Sequence, residues 1–383
     1  MGDYELPRSP ADWTIAATEL ALKNQTIHTA TLDMDSGSEI KLSQYLLLRV
    51  LWDEPKVASL LIDECKVNGG PVHKQMLNKA QLLLDQIASW KTYLEDSTSG
   101  SEGTFALVRY YQNLSMKPPK DKPDNSGVLN KVAFSPTSPA VARAQPPSSQ
   151  PTTPPAQTSG VDDLPRELQG LFLGSPWSNV STSYPIGGKK AINYTAIEDE
   201  QIVNTALLLF LNALTLHFPN EVKGEWTLRR HPLRMKSNSN PKVYEARVDG
   251  FLRLNNEERE PAAIVEVKPF LRERTDAISR DIRMQEAAQM AAWVSEFPPV
   301  MASTKANANN THRRLLVSQD HEEIYLNVAT FDNQYVSYVQ GHITTTTSFL
   351  RIQQYGPFNV GKTKDMKYLG RLLLAVTLQG GLI

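Results

Sequence analysis

This chain has one cysteine, no long apolar run and almost no net charge. Cys65 is the single cysteine in 383 residues. That excludes an intramolecular disulfide and a cysteine-built zinc cluster, and it fits a reducing compartment. The longest apolar runs, such as residues 206–211, are far too short to span a bilayer. Lys and Arg number 40 against 41 Asp and Glu, giving a formal charge of −1. No global field draws such a chain to a polyanion, so any attraction must come from a local patch. The first seven residues lack the apolar core of a signal peptide, and Leu6 stands where an acylation signal at Gly2 wants Ser or Thr. The expectation is an intracellular protein, nuclear or cytoplasmic, with no membrane partner.

What is present divides the chain into three. Residues 1–115 read as a helical N-terminal region. Leu46, Leu47, Val50 and Leu51, then Val57, Leu60 and Leu61, repeat at a broken helical period. Met76, Leu77, Ala80, Leu83, Leu84, Ile87, Ala88 and Trp90 repeat over a longer one. A small helical bundle is expected, open to a protein partner. Residues 116–162 change composition, with ten prolines between Pro118 and Pro155 amid Ser, Thr, Gln and Ala. Such a segment buries too little apolar surface to offset its chain entropy, so a disordered linker is expected. Its Ser135-Pro136, Ser138-Pro139 and Thr153-Pro154 pairs suit proline-directed phosphorylation, although Ser-Pro pairs are also ordinary linker composition. Residues 163–383 alternate helix and strand patterns and predict an α/β domain. Helices are expected at 197–217, 276–297 and 365–378, and strands at 226–229, 243–254, 262–270, 314–319 and 324–330.

The chemistry concentrates in two of those strands. The run Ala262-Ala263-Ile264-Val265-Glu266-Val267-Lys268 sets a carboxylate and an ammonium two residues apart in an apolar stretch. Alternate residues of a strand share a face, so Glu266 and Lys268 point one way while Val265 and Val267 point the other. Charges are rare in a β-branched run unless paired or used. The preceding run ends in Val248-Asp249-Gly250-Phe251, and polar residues 255–258 separate the two, so a hairpin sets Asp249 beside Glu266, although Asp249 before Gly250 also suits a bulge or turn. Clustered carboxylates suit a hard divalent cation, and a nearby ammonium suits a developing oxyanion. An isolated Glu-x-Lys would read as a salt bridge on a solvated strand. The apolar flanks, Asp249 and a following helix with Gln285 and Gln289 one turn apart favour a site instead.

In its order of helix, three strands, helix, strand, with an acid in the middle strand and Glu-x-Lys in the next, residues 165–383 resemble the PD-(D/E)XK nuclease superfamily. The nearest likeness is to the nuclease-like domains of filamentous fungi. The resemblance implies a restriction-endonuclease-like αβββαβ core with a mixed sheet flanked by helices. It implies Mg²⁺- or Mn²⁺-dependent hydrolysis of nucleic acid, DNA ahead of RNA, or else an inactive fold relative that binds nucleic acid or protein. Carried over by motif, Asp249 and Glu266 hold the metal together with the Val267 carbonyl. Lys268 stabilises charge on the phosphate, Glu200 or Glu198 joins from the first helix, and Gln285 and Gln289 come from the next. Val248 departs from the pattern, because the motif's proline would stand there.

Two other stretches carry weaker signals. Arg229, Arg230, His231, Arg234 and Lys236, followed by polar residues 237–240, form a basic loop able to meet a phosphate backbone. Residues 356–363 spell a P-loop in letters. Pro357 removes an amide from it and no later strand is expected to supply a magnesium-binding acid, so ordinary turn chemistry is the better reading. His217, His231, His312, His321 and His342 show no ligand spacing.

Overall fold

A computed structural model describes residues 5–32, 34–65, 67, 70–95, 103–116, 199–236, 242–256, 260–299 and 311–382. Apart from Met116, the expected linker at 116–162 lies outside them, as do residues 163–198, Glu198 included, and 237–240. In chain order the elements are α1 (Pro10–Glu19), α2 (Leu42–Leu47), β1 (Val50–Trp52), α3 (Ala58–Cys65), α4 (Lys74–Leu84), α5 (Ala88–Glu95) and α6 (Ala106–Ser115). Then come α7 (Glu200–Thr215), β2 (Gly224–Thr227), β3 (His231–Met235), β4 (Tyr244–Val248), β5 (Gly250–Leu254), β6 (Pro261–Lys268) and α8 (Asp276–Glu296). The last are β7 (His312–Asp320), β8 (Glu323–Phe331), α9 (Asn333–Val339), β9 (Leu350–Asn359) and α10 (Thr363–Gln379).

The fold is α/β. A mixed seven-stranded sheet runs β1-β9-β8-β7-β6-β5-β2, with β3 and β4 as a separate two-stranded ribbon. β6 and β7 are parallel, β8 is antiparallel to both β7 and β9, and β1 is parallel to β9. The C-terminal ends of β1, β6, β7 and β9 therefore share one edge with the start of β5. In open α/β sheets that edge is where ligands bind.

Two apolar cores flank the sheet. One gathers Val265 and Val267 of β6 with residues of α4 to α7 and α10. The other gathers Ile264 of β6 with α1, α2, α8, α9 and the inner face of the ribbon. This follows the period-two pattern of β6, whose odd and even residues enter different layers. Among the described residues, no helix is long and apolar enough to cross a membrane.

The N-terminal region is helical as its periodicity predicts, but it does not form a bundle of its own. It adds β1 to the sheet, pairing Val50 with Leu350 and Trp52 with Ile352. Trp90 of α5 stacks with Tyr93, and both rings approach Phe210 of α7. The long period at 76–90 covers two helices, because α4 stops at Asp85 and α5 begins at Ala88.

Strand boundaries also differ from the sequence reading. The run at 243–254 is two strands in two different sheets, broken at Asp249. The strand expected at 226–229 is β2, two residues earlier. Neither β3 nor β9 was visible in the pattern. Residues 356–359, the start of the P-loop spelling, lie inside β9, and Lys362 stands at the N-cap of α10.

Candidate active site

Three elements bring the acids to the sheet edge. Asp249 is the residue between β4 and β5, and its amide donates to the Val265 carbonyl at 2.9 Å. Gly250 follows because no side chain fits: a Cβ there would lie 2.8 Å from the Thr227 carbonyl oxygen and 2.9 Å from Leu208 of α7. That close approach seats α7 against the start of β5. Glu200, eight residues before Leu208, shares its helix face and comes to the edge. Asp199 caps α7 by accepting from the Gln201 amide at 2.8 Å, so Glu200 is the first helical residue.

Glu266 and Lys268 close β6 and point to the α8 side, as alternation requires. The Lys268 ammonium donates to Glu266 Oε1 at 2.5 Å. Gln285 Nε2 donates to the same oxygen at 2.7 Å, and Gln289 Nε2 donates to Oε2 at 2.6 Å. Both glutamines stand on α8, which Thr275 starts by accepting from the Ile278 amide. Asp249 Oδ2 accepts from the Val267 amide at 3.1 Å, so Val267 touches the acid through its N–H. Arg230 joins the group: its Nη2 is 3.2 Å from Asp249 Oδ1 and 4.0 Å from Glu200 Oε1. Thus Glu266, Lys268, Gln285 and Gln289 are linked by hydrogen bonds, Asp249 is held to the same strand by the Val267 amide, and Arg230 lies between Asp249 and Glu200.

Sequence reasoning set Arg230 in a basic loop rather than at the acids. The signal was its place in the cationic run, and only the fold turns that run toward Asp249. Asn204, one turn beyond Glu200, also went unremarked. It is buried, and its Oδ1 has no partner among the described residues.

The cluster is dry. Asp249, Glu266 and Lys268 are 6%, 3% and 4% exposed, so their charges are felt strongly by one another. Burial pushes the Glu266 carboxyl up to about 8; the Lys268 ammonium opposes the rise and the Asp249 charge adds to it. Burial also raises Asp249, against Lys268 and Arg230. Glu200 is raised by burial and by Asp249, again opposed by Lys268. Burial would lower Lys268, but Glu266, Glu200 and Asp249 together outweigh it and hold the ammonium charged. Three carboxyls facing two cations leave one negative charge in excess. Burial first, and that excess second, favours a retained proton on the raised acids.

The donor set suits a hard divalent cation. It offers carboxylate oxygens, and beside them the buried Gln289 Oε1, which has no donor among the described residues. The present positions are held by internal contacts: among the described residues, no group of three or more His, Cys, Asp or Glu is arranged to hold a metal ion. Comparison with known proteins finds no matching family model, no matching curated protein and no matching solved structure.

Proposed function

We propose that this protein hydrolyses phosphodiester bonds of nucleic acid with Mg²⁺ or Mn²⁺, through a PD-(D/E)XK-type site on a restriction-endonuclease-like core. The observation that carries the reading is the gathering of Asp249, Glu266 and Lys268 at the C-terminal edge of the sheet, Lys268, Gln285 and Gln289 bonded to Glu266 and Asp249 bonded to the Val267 amide between them. Asp249, Glu266 and Glu200 would supply oxygens to the ion, with Val267 beside them. The ion supplies Lewis acidity to the phosphate and acidifies water for attack.

The chain's own residues do the rest. Water adds to phosphorus, the ester P–O bond breaks, and the leaving oxygen takes a proton. Lys268 holds a positive charge in a buried cluster, where it would stabilise the negative charge that builds on the phosphate. Gln285 and Gln289 hold the two Glu266 oxygens in orientation. Arg230 grips Asp249 and, being partly exposed, is free to exchange that contact for a substrate phosphate.

A second reading has its own observation. Glu266 is paired with Lys268 and Asp249 with Arg230, so each of these two acids already has a cation beside it. A fold relative that has lost catalysis, acting as a nucleic-acid-binding or protein-interaction module, would keep such a group as structure. Cleavage of duplex DNA, single-stranded DNA and RNA, titrated with Mg²⁺ and Mn²⁺ beside the Lys268→Ala protein, decides between them. Metal-dependent products that vanish in the variant support the nuclease. Equal background in both proteins supports the inactive module.

A further inference from the structure

The ribbon of β3 and β4 has two unlike faces. The register pairs Arg234 with Glu245 and Leu233 with Ala246, so alternate residues of both strands share a side. Leu233, Met235, Tyr244, Ala246 and Val248 face inward and join the core with α8. The Tyr244 hydroxyl donates to the Ala288 carbonyl at 2.7 Å and pins that face.

The outer face is cationic. Arg234, Lys236, Lys242 and Arg247 have side chains 47%, 48%, 57% and 71% exposed. Three of them, Arg234, Lys242 and Arg247, crowd the single carboxylate of Glu245 at 3.1–3.4 Å. Lys236 meets Glu296 of α8 at 3.1 Å. Four cations against two carboxylates leave a local surplus of +2, and exposed Arg229 adds to it just before β3. The chain as a whole carries −1, so this patch is a concentration of charge and not a reflection of the average.

The ribbon is also fixed to the acid cluster. Gln289 Nε2 donates to the Arg247 carbonyl at 2.8 Å and to Glu266 Oε2 at 2.6 Å. β4 ends at Val248, and the next residue is Asp249. A polymer lying along the outer face would thus be carried past the acids at a set distance.

We propose that the outer face of the β3–β4 ribbon, through Arg234, Lys236, Lys242 and Arg247, docks the sugar–phosphate backbone of a nucleic acid and leads it to Asp249 and Glu266. The inference rests on the phosphodiesterase reading for its destination, but not for the binding itself. Charge complementarity selects the occupant: Arg234 and Arg247 stand on the strand face, with Lys236 just after β3 and Lys242 just before β4, and such a group of long cationic side chains suits a row of phosphates. Such contacts carry no base information, so binding is insensitive to sequence and steeply dependent on salt.

The test uses the full chain in EDTA, with binding read by fluorescence anisotropy of labelled duplex DNA, single-stranded DNA and RNA oligonucleotides at several salt concentrations. A triple variant, Arg234→Gln, Lys242→Gln and Arg247→Gln, is compared with wild type. A charge-matched control carries Lys74→Gln, Lys364→Gln and Lys367→Gln, on α4 and α10 against the other face of the sheet. The single Arg247→Gln protein, altered at the most exposed of the four cations, guards against misfolding of the triple variant.

The expected result is a loss of affinity of at least roughly tenfold in the triple variant, with a log–log salt slope shallower by about 2–3. The single variant shows a smaller loss in the same direction, and the control binds like wild type. Equal affinity and slope in wild type and both ribbon variants would overturn the proposal, as would a wild-type protein that binds no nucleic acid. Asp249→Asn separates this from the catalytic reading, since it should lose cleavage and keep binding. A ribbon-dependent binder that never cleaves with any metal refutes only the nuclease. Metal-dependent cleavage with an unchanged KM in the triple variant refutes only the ribbon.

Discussion

Two buried ionic clusters lie side by side at the same sheet edge, and they differ in how their polar atoms are used. In the register of β6 and β7, Lys268 stands opposite Asp320. Asp320 belongs to the second cluster, built on Arg272. That guanidinium is fully buried and donates from Nε to Asp320, from Nη1 to Gln354 at 2.9 Å and to Glu286, and from Nη2 to Glu286 at 2.8 Å and Ser318 at 2.7 Å. It also lies over the Tyr325 ring at 4.1 Å. Every face of the cation is met. The Asp249 cluster, like its neighbour, has one carboxyl more than it has cations, but among the described residues it also has a glutamine oxygen without a donor, and its Arg230 is 30% exposed. Buried charge alone therefore does not mark a site. A cation whose donors are all used marks structure, whereas an unused polar atom and a partly exposed cation mark a place where a ligand has something to add.

The largest effect should come from breaking the saturated cluster. Arg272→Met strands Asp320 and Glu286 in the interior, and unfolding measurements should show a loss on the order of 3–5 kcal/mol. A variant that melts within a degree or two of wild type would erase the contrast. At the Asp249 cluster the large effect should fall on rate. Asp249→Asn, Glu266→Gln and Lys268→Ala should each cut turnover by roughly 10²–10³, and the two amide variants, which remove a buried charge without stranding a carboxylate, should shift melting much less than Arg272→Met. Cleavage assays and melts on the same preparations test both halves, and unaltered cleavage in the Glu266 and Lys268 variants would end the assignment of catalysis to this cluster.

The clusters should also separate by pH. A carboxyl with a higher pKa folded than unfolded keeps a proton that the unfolded chain has released, so raising pH through that interval destabilises the fold. For Glu266 the interval runs from the ordinary glutamate value of 4.5 to about 8, and for Asp320 from the ordinary aspartate value of 3.8 to about 6. Metal-free wild type should therefore lose stability as pH rises from 6 to 8, and Glu266→Gln should flatten that decline. Asp320→Asn should alter the profile only below about pH 6. Chemical denaturation across pH 4–9 checks this, and a decline above pH 6 that survives in Glu266→Gln would contradict it. The smallest effect is expected far from both clusters. Lys362→Ala, at an exposed helix start, should change stability by less than about 0.5 kcal/mol and leave any cleavage intact.

The part of the site legible in advance rested on local rules. Strand alternation alone put Glu266 and Lys268 on one face, and one helical turn alone put Gln285 and Gln289 together. The break at Asp249 was legible only as an alternative. The run at 243–254 reads as one strand, with Asp-Gly allowing a bend, and what requires Gly250 is contact with β2 and with α7, a helix distant in sequence. Arg272 was invisible, because a lone arginine after a strand looks like any solvated turn. Its partners come from α8, β7 and β9, up to 82 residues away. β1 was hidden for a similar reason, being three residues long within a helical pattern and a strand only because β9 lies beside it.

By itself, the sequence determined the α/β class, the helical character of residues 10–115 and the two-sided pattern of β6, since each depends on periodicity within a few residues. Tertiary structure alone decided that the N-terminal region completes the sheet, that Arg230 closes on Asp249, and that one buried cluster is saturated while its neighbour is not. The physical reason is range. Periodicity is written in neighbouring residues, whereas the surplus or satisfaction of a buried charge is a sum over whatever the whole chain folds around it.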